Sequence, residues 1–387
     1  MTKDSSAAPF ETVFSADAYT KVKSKAPGNQ MQYSVFNSMP MPTSKDEDWR
    51  LSDVRIFSKD DFLPLDLDYA PKSEFSGCAV KRDAEMPERK PNDKLEAAIN
   101  LFSHCLEIRV KPGAKAVARM NFSPARSYVL SRSIILGIGS SLALFDNFSS
   151  GAEGRMFFGM NTAVSCGPDS SISHYSSQSF SPKASGLDVR EYELSSGAAA
   201  RNFSILSGGG FFRQKTRHNL VGDGSSVPVQ RTAIIGGSES HFDLVADATH
   251  SGLHTKADIA VRSALSGKSS CAVRGKITIL KGAQGTDSFF SDKSIHLSRG
   301  VRSDSIPSLV IDDNDVKASH GSSIGQLDES ALFYMQSRGI PKTEAKKLAV
   351  EGMLESILFG ADADWMQNVM GVASRNISYG ADDHAKY

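Results

Sequence analysis

Between Cys105 and Ser323, apolar and polar residues alternate in short runs such as Leu106-Glu107-Ile108-Arg109-Val110 and Lys276-Ile277-Thr278-Ile279-Leu280, with glycine and serine between the runs. Alternation with a period of two marks strands, and no convincing helical pattern interrupts it, so an all-β body is expected. Small polar turns recur ahead of the strand-like runs at Ser140-Ser141, Ser170-Ser171, Ser196-Gly197 and Ser225-Ser226, at intervals of about 30, 26 and 29 residues. A loose repeat of that length suits a parallel β-helix, whose corners take small residues while inward positions alternate apolar. A β-sandwich would show more hairpin signals, and the Asn-Gly dipeptide is missing altogether.

The flanks read as helical. Ser15 caps a helix over Ala16–Lys25 that Pro27-Gly28 ends. The proline-studded stretch from Pro71 to Pro91 reads as a linker or surface excursion. Asn92 or Asp93 then caps Lys94–Phe102, with Leu95, Ala98, Ile99 and Phe102 on one face. Near the C-terminus Asp328 caps a helix carrying Ala331, Leu332 and Met335, closed by Gly339 and Pro341. Thr343 starts a second helix ending near Gly360. This helical hairpin has two readings, a lid on the open end of the solenoid or a docking site for a partner. Three regions result: helical and loop-rich over 1–104, parallel β-helix over 105–325, and helical over 326–387.

Composition narrows the function. The 387 residues carry 44 basic and 44 acidic side chains, and a chain of zero net charge has no broad electrostatic grip on nucleic acid or anionic membrane. The longest apolar run, Ile134-Ile135-Leu136-Gly137-Ile138, is too short to span a bilayer, and the opening Met1-Thr2-Lys3-Asp4 leads into no secretory signal. A cytoplasmic protein is expected. Cys78, Cys105, Cys166 and Cys271 form no CxxC pair, so a self-contained zinc or iron–sulfur site of the usual spacing is absent, and each is expected to be a buried structural thiol. Gly267-Lys268-Ser269 imitates the end of a phosphate-binding loop, but Arg262 stands where its first glycine is required. Gly208-Gly209-Gly210 lacks the lysine and hydroxyl that would follow. His241, His250 and His254 lie close in sequence without an HExxH glutamate, and a turn or strand role is expected before a metal role. No GxSxG nucleophile elbow is present.

His320 sits at the junction of the β body and the helical hairpin, next to Gly321, where an imidazole can reach a partner surface or a metal. Its segment, Ala318-Ser319-His320-Gly321-Ser322-Ser323-Ile324-Gly325-Gln326-Leu327-Asp328, followed by Leu332-Phe333-Tyr334 and Ser337-Arg338-Gly339-Ile340, resembles the SufB/SufD family of SUF iron–sulfur cluster assembly scaffolds. His218-Asn219-Leu220-Val221-Gly222, Gln284-Gly285-Thr286-Asp287 and Asp312-Asp313 agree, as do Trp49-Arg50 and Asp93-Lys94-Leu95-Glu96 upstream. Gly321 after the histidine resembles the SufD branch, where SufB-type chains carry glutamate. No cysteine stands in Gly300-Val301-Arg302-Ser303, where SufB-type chains hold their sulfur acceptor. Ala318 departs from the cysteine usual in SufD-type chains, which argues against a thiolate from this subunit.

The resemblance implies a mainly β protein, a right-handed parallel β-helix with helical N- and C-terminal regions. It implies a non-catalytic scaffold that pairs with SufB and two copies of the ATPase SufC, while binding no nucleotide itself. SufC would dock on the C-terminal helical region through Leu327, Phe333, Tyr334 and Arg338. A transient iron–sulfur cluster would form at the SufB interface, with His320 as a ligand. The alternatives are a stand-alone homodimer serving as an iron or carrier platform, and a β-helix polysaccharide-processing enzyme.

Overall fold

The computed structural model describes residues 8–25, 33–59, 61–84, 91–150 and 154–376. From His104 to Gln326 every strand hydrogen-bonds in parallel to the strand two positions further on, and successive strands alternate between two nine-stranded sheets. The result is a parallel β-solenoid of about eight turns, in agreement with the period-two pattern. The register sets the repeat: Ser141 pairs with Ser171 and Ser171 with Ala199. The Ser-rich turns are its corners. In them Ser140 Oγ donates to the Gly137 carbonyl, Ser170 Oγ to Gly167 and Thr286 Oγ1 to Ala283, at 2.7, 2.7 and 2.8 Å.

Each corner places one residue in the left-handed region: Gly139, Asp169, Gly197, Gly224, His254 and Gly285, with φ between 53° and 71°. The amide of each donates to a carbonyl of the next coil. Gly139 reaches Pro168, Asp169 Ser196, Gly197 Asp223, Gly224 Leu253, His254 Gln284 and Gly285 Asp315, at 2.8–3.0 Å. These bonds continue the sheet ladders around the edge of the solenoid, so the corner amides are satisfied although they lie outside the strands.

Three apolar cores divide the molecule. The first fills the lumen, with Ile134, Leu144, Phe158, Ile172, Leu194, Leu244, Ile259 and Phe290 among its members. In the second, the N-terminal region lays Phe10, Phe14, Phe36, Trp49, Phe57 and Phe102 on the outer face of one sheet, against Val129, Phe157, Leu187, Val189 and Phe211. The helix Lys94–Phe102 is capped by Asp93, whose carboxylate accepts from the Leu95 and Glu96 amides. It is buried on every side, because it lies between the sheet and the remaining N-terminal elements. The helix Ala16–Lys25 also forms as expected, while its Pro27-Gly28 stop lies outside the described residues.

The third core corrects one reading of the C-terminal helices. Val350, Leu354, Ile357 and Leu358 of the helix Lys342–Leu358, with Trp365 and Val369 of the helix Ala363–Asn376, pack on the outer face of the second sheet against Phe145, Phe203, Ile205, Ala233 and Ile235. Trp365 closes an aromatic ladder in which Phe145, Tyr175 and Phe203 stack at 4.9 and 5.6 Å. The hairpin therefore covers a flank of the solenoid and not its open end. The third helix goes beyond the two expected; its cap, Asp362 accepting from the Trp365 amide at 2.9 Å, is a local signal the hairpin pattern obscured. The stretch after Pro71 is also more ordered than a linker, since Lys72–Ser76 and Ala79–Arg82 pair antiparallel with the first strands of the solenoid. Gly77, at φ 73°, makes the tight reversal between them.

Polar side chains are buried in the lumen with partners. Arg132 holds Asp146 through two bonds of 2.8 and 2.6 Å, His174 Nε2 lies 2.8 Å from the same carboxylate, and His174 Nδ1 lies 2.6 Å from the Tyr192 hydroxyl. Burial pushes the Asp146 carboxyl up, but the Arg132 guanidinium outweighs it and holds the group well below the usual carboxylate range. His250 is held by Thr255 at 2.8 Å and Ser288 at 3.1 Å, and burial pushes its imidazole down to about 4.

Two outcomes follow from this architecture. A Cβ at Gly224 would meet nothing within 4 Å, so Gly224→Ala isolates the cost of a left-handed backbone; urea unfolding is expected to show a loss of about 1 kcal/mol with unchanged circular dichroism. An imidazole in the unfolded chain takes up its proton near pH 6.5, whereas folded His250 does so near 4. Unfolding thus binds a proton between those values. The contribution of His250 should be flat above pH 6.5 and fall by ~3 kcal/mol toward pH 4. In His250→Gln the slope of unfolding free energy against pH over this window should be visibly shallower.

Candidate functional site

Among the described residues the solenoid ends without a cover. The final strands, Arg302–Ile311 and Lys317–Gln326, are the outermost members of the two sheets. In Lys317–Gln326 only Ala318 is even half-buried, whereas the equivalent positions one and two coils earlier are mostly enclosed. Two neighbouring strand edges therefore expose backbone donors and acceptors, and strand edges of this length attract another chain.

His320 lies on this last coil. It pairs in register with Phe290, a lumen residue, so it occupies a lumen-side position of the uncovered layer and is exposed. Ser322 stands above Asp292, while across the mouth Ser303 stands above Cys271 and Ser305 above Val273. His296 Nε2 lies 2.6 Å from Ser303 Oγ. Burial pushes the Asp292 carboxyl up to about 6 against the opposing pull of Ser305 and Arg262. Burial, with Asp292, Asp243 and Asp304 adding to it, pushes the Cys271 thiol well up, so Cys271 is a protonated core residue and no ready nucleophile. Cys105 and Cys166 are likewise buried and pushed up to about 11 and 12 by burial; Cys78 departs from expectation in being only half-buried.

The three clustered histidines separate in space. His250 is in the lumen, His254 sits at a corner with φ 53°, and His241 stacks on Phe211 outside the sheet at 5.5 Å. Among the described residues no three His, Cys, Asp or Glu side chains converge on a point that could hold a metal. Gly208-Gly209-Gly210 forms a turn, with Gly208 and Gly209 at φ 71° and 87°, and Gly267 begins a corner at φ 67°.

Beside the open end, the helix Glu329–Ser337 starts at Asp328, which accepts from the Ser330 amide at 2.9 Å. It buries Leu332 and turns its other face outward, leaving Phe333 73% and Tyr334 60% exposed. Arg338 lies 5.2 Å over the Tyr334 ring and donates to its hydroxyl at 3.2 Å, while Leu327 is half-buried at the strand-to-helix step. Phe359, directly after the helix Lys342–Leu358, is 85% exposed; an aromatic residue directly before the helix-ending Gly360 was its only sequence signal. Exposed aromatics of this size are interface features. No helix among the described residues is long and apolar enough to cross a membrane.

Comparison with known proteins agrees with this architecture. The family model for the SUF system FeS cluster assembly SufBD core domain matches residues 123–353. The chain is 31% identical over 140 residues to the iron–sulfur cluster assembly protein SufD of Bacillus subtilis, covering 36% of this chain and 32% of that protein. It is 25% identical over 219 residues to the SufD of Escherichia coli, covering 56% and 51%. A SufBD family protein of Mycobacterium tuberculosis is 28% identical over 181 residues, covering 44% and 45%. The matched segments thus span about half or less of these relatives. With the core-domain model covering more than half of its length, the chain belongs to the SufB/SufD family of iron–sulfur cluster assembly proteins.

Proposed function

We propose that this chain is a non-catalytic, SufD-type scaffold subunit of the SUF system in the cytoplasm. Its open solenoid end takes a SufB-type subunit, and a nascent iron–sulfur cluster is built where the two meet. The observation that carries this reading is His320 on the lumen side of an uncovered final coil. An edge strand from a second chain would satisfy the unpaired backbone of that coil and bring further donors to the imidazole. One imidazole is a weak site alone, and neutral imidazole suits iron, so ligands from both chains fit the arrangement. Iron and sulfur are cargo here, and no thiol of this chain is primed to carry sulfur.

The second surface takes the ATPase SufC, in two copies across the paired subunits. Phe333 and Tyr334, with Arg338 and Leu327 beside them, offer the apolar and cationic groups of a protein interface, and nucleotide is bound by the partner. The helix Lys342–Leu358, packed on the sheet through Val350 and Leu354, links this surface to the solenoid body and could pass on a movement of SufC. A second reading is a homodimer of this chain. It is favoured by the same two open edges, because a second copy can pair with them as well as SufB can.

Co-expression with SufB and SufC of the same genome, followed by anaerobic sizing and visible absorption, separates these readings. A heteromeric complex is expected, and His320→Ala should keep its size while losing most of its cluster absorbance. Undiminished absorbance in that variant would remove His320 from the ligand set, and a chain that only self-associates would favour the homodimer. Phe333→Asp should weaken SufC binding at least about 30-fold while SufB remains bound, measured by surface immobilisation of the purified chain. Equal SufC affinity would move the docking surface elsewhere.

A further inference from the structure

A cleft of about 500 Å³ opens on the outer face of the sheet that the N-terminal region covers, just beyond the edge of that cover. Its floor is a grid of outward side chains set by the parallel register. In one line Lys215, Val245, Arg274 and Ile306 are successive partners; in the next, Arg217, Asp247, Lys276 and Ser308; in the third, Asn219, Thr249 and Thr278. Neighbouring strands lie about 4.8 Å apart, so Arg217 and Lys276 flank Asp247 at one strand spacing on either side.

The charges are unevenly used. Lys215 is spent on Glu96 at 3.1 Å and Asp48 at 3.4 Å. Arg274 gives Nη1 to Asp243, but its Nη2 is buried without a hydrogen-bond partner. Arg217 and Lys276 each lack an ion-pair partner within 4.0 Å among the described residues. Arg217, Arg274 and Lys276, with the hydroxyls of Thr249, Thr278 and Ser308, thus line one cleft around the half-buried Asp247 carboxylate, while the exposed Glu47 and Asp48, the latter facing Lys215, also line it. Donors in this number suit a tetrahedral oxyanion. The carboxylate makes the choice among oxyanions. Ionised Asp247 only accepts hydrogen bonds, so it repels a fully deprotonated anion but takes a hydrogen bond from one that still carries a proton.

We propose that this cleft is a phosphate-binding site, in which Arg217, Lys276 and Arg274 hold the anionic oxygens and Asp247 accepts a hydrogen bond from the phosphate's own hydroxyl. Its volume exceeds that of a phosphate ion, leaving room for the organic part of a phosphomonoester.

Calorimetric titration of the full chain at pH 6.0, where phosphate and a good part of its monoester still carry a proton, and at fixed ionic strength, with inorganic phosphate, sulfate and glycerol 3-phosphate as probes, tests the proposal. Saturable phosphate binding is expected, with sulfate at least tenfold weaker. Arg217→Ala and Lys276→Ala should each weaken phosphate at least tenfold, and both positions are exposed or half-exposed, so folding is kept. Asp247→Asn should bring sulfate to within a few-fold of phosphate. Competition by glycerol 3-phosphate would assign the site to a monoester, and its exclusion to the free ion. No saturable phosphate binding, equal phosphate and sulfate affinity in the wild type, or binding indifferent to Arg217→Ala and Lys276→Ala would overturn the assignment.

Discussion

Every feature of this molecule depends on stacking each coil in register on the one before. Strand ladders satisfy the backbone along the two sheets, and the left-handed corner residues carry the same ladder round the edge, amide to carbonyl, from Gly139 to Gly285. The corner is demanding because only a few side chains tolerate that conformation, yet the solenoid uses Asp169 and His254 there as well as glycine. It can do so because each corner is held by bonds to the next coil, so the cost of a strained residue is spread over a cooperative stack.

Stacking leaves two kinds of surface to be dealt with, the sheet faces and the ends. The faces are covered within this chain. Phenylalanines of the N-terminal region close one sheet, and the helices Lys342–Leu358 and Ala363–Asn376 close the other. Among the described residues the last coil is left open, and the two properties a partner would need meet there: unpaired strand edges and a lumen-side imidazole. The exposed aromatics of Glu329–Ser337 follow immediately along the chain, so the two surfaces proposed for partners are adjacent in sequence and joined by one short connection.

The lumen shows how the fold tolerates charge. Arg132, Asp146, His174 and Tyr192 form a connected set across coils, and Arg190 pairs with Asp188. Buried ions of this kind add little net stability but penalise any slip of register, since a coil displaced by one residue would leave Asp146 or Arg132 unpaired in an apolar lumen. Farther along, Leu244, Ile259, Val261 and Val273 add apolar side chains to the lumen between this polar set and the mouth.

What the sequence determined by itself was local. Period-two runs named the strands, Ser and Gly marked the corners, and Asp93 and Asp328 fixed the starts of two helices, because each of these signals acts within a few residues of chain. The motif around His320 likewise lay in one continuous segment. Tertiary structure decided the rest: that the C-terminal helices cover a flank and leave the end open, that residues after Pro71 join the sheets, and that Arg217, Asp247 and Lys276 stand side by side. The physical reason is the repeat. Neighbours in a solenoid are a whole coil apart along the chain, and turns of unequal length fix which residues meet, so local pattern cannot supply the register that packing does.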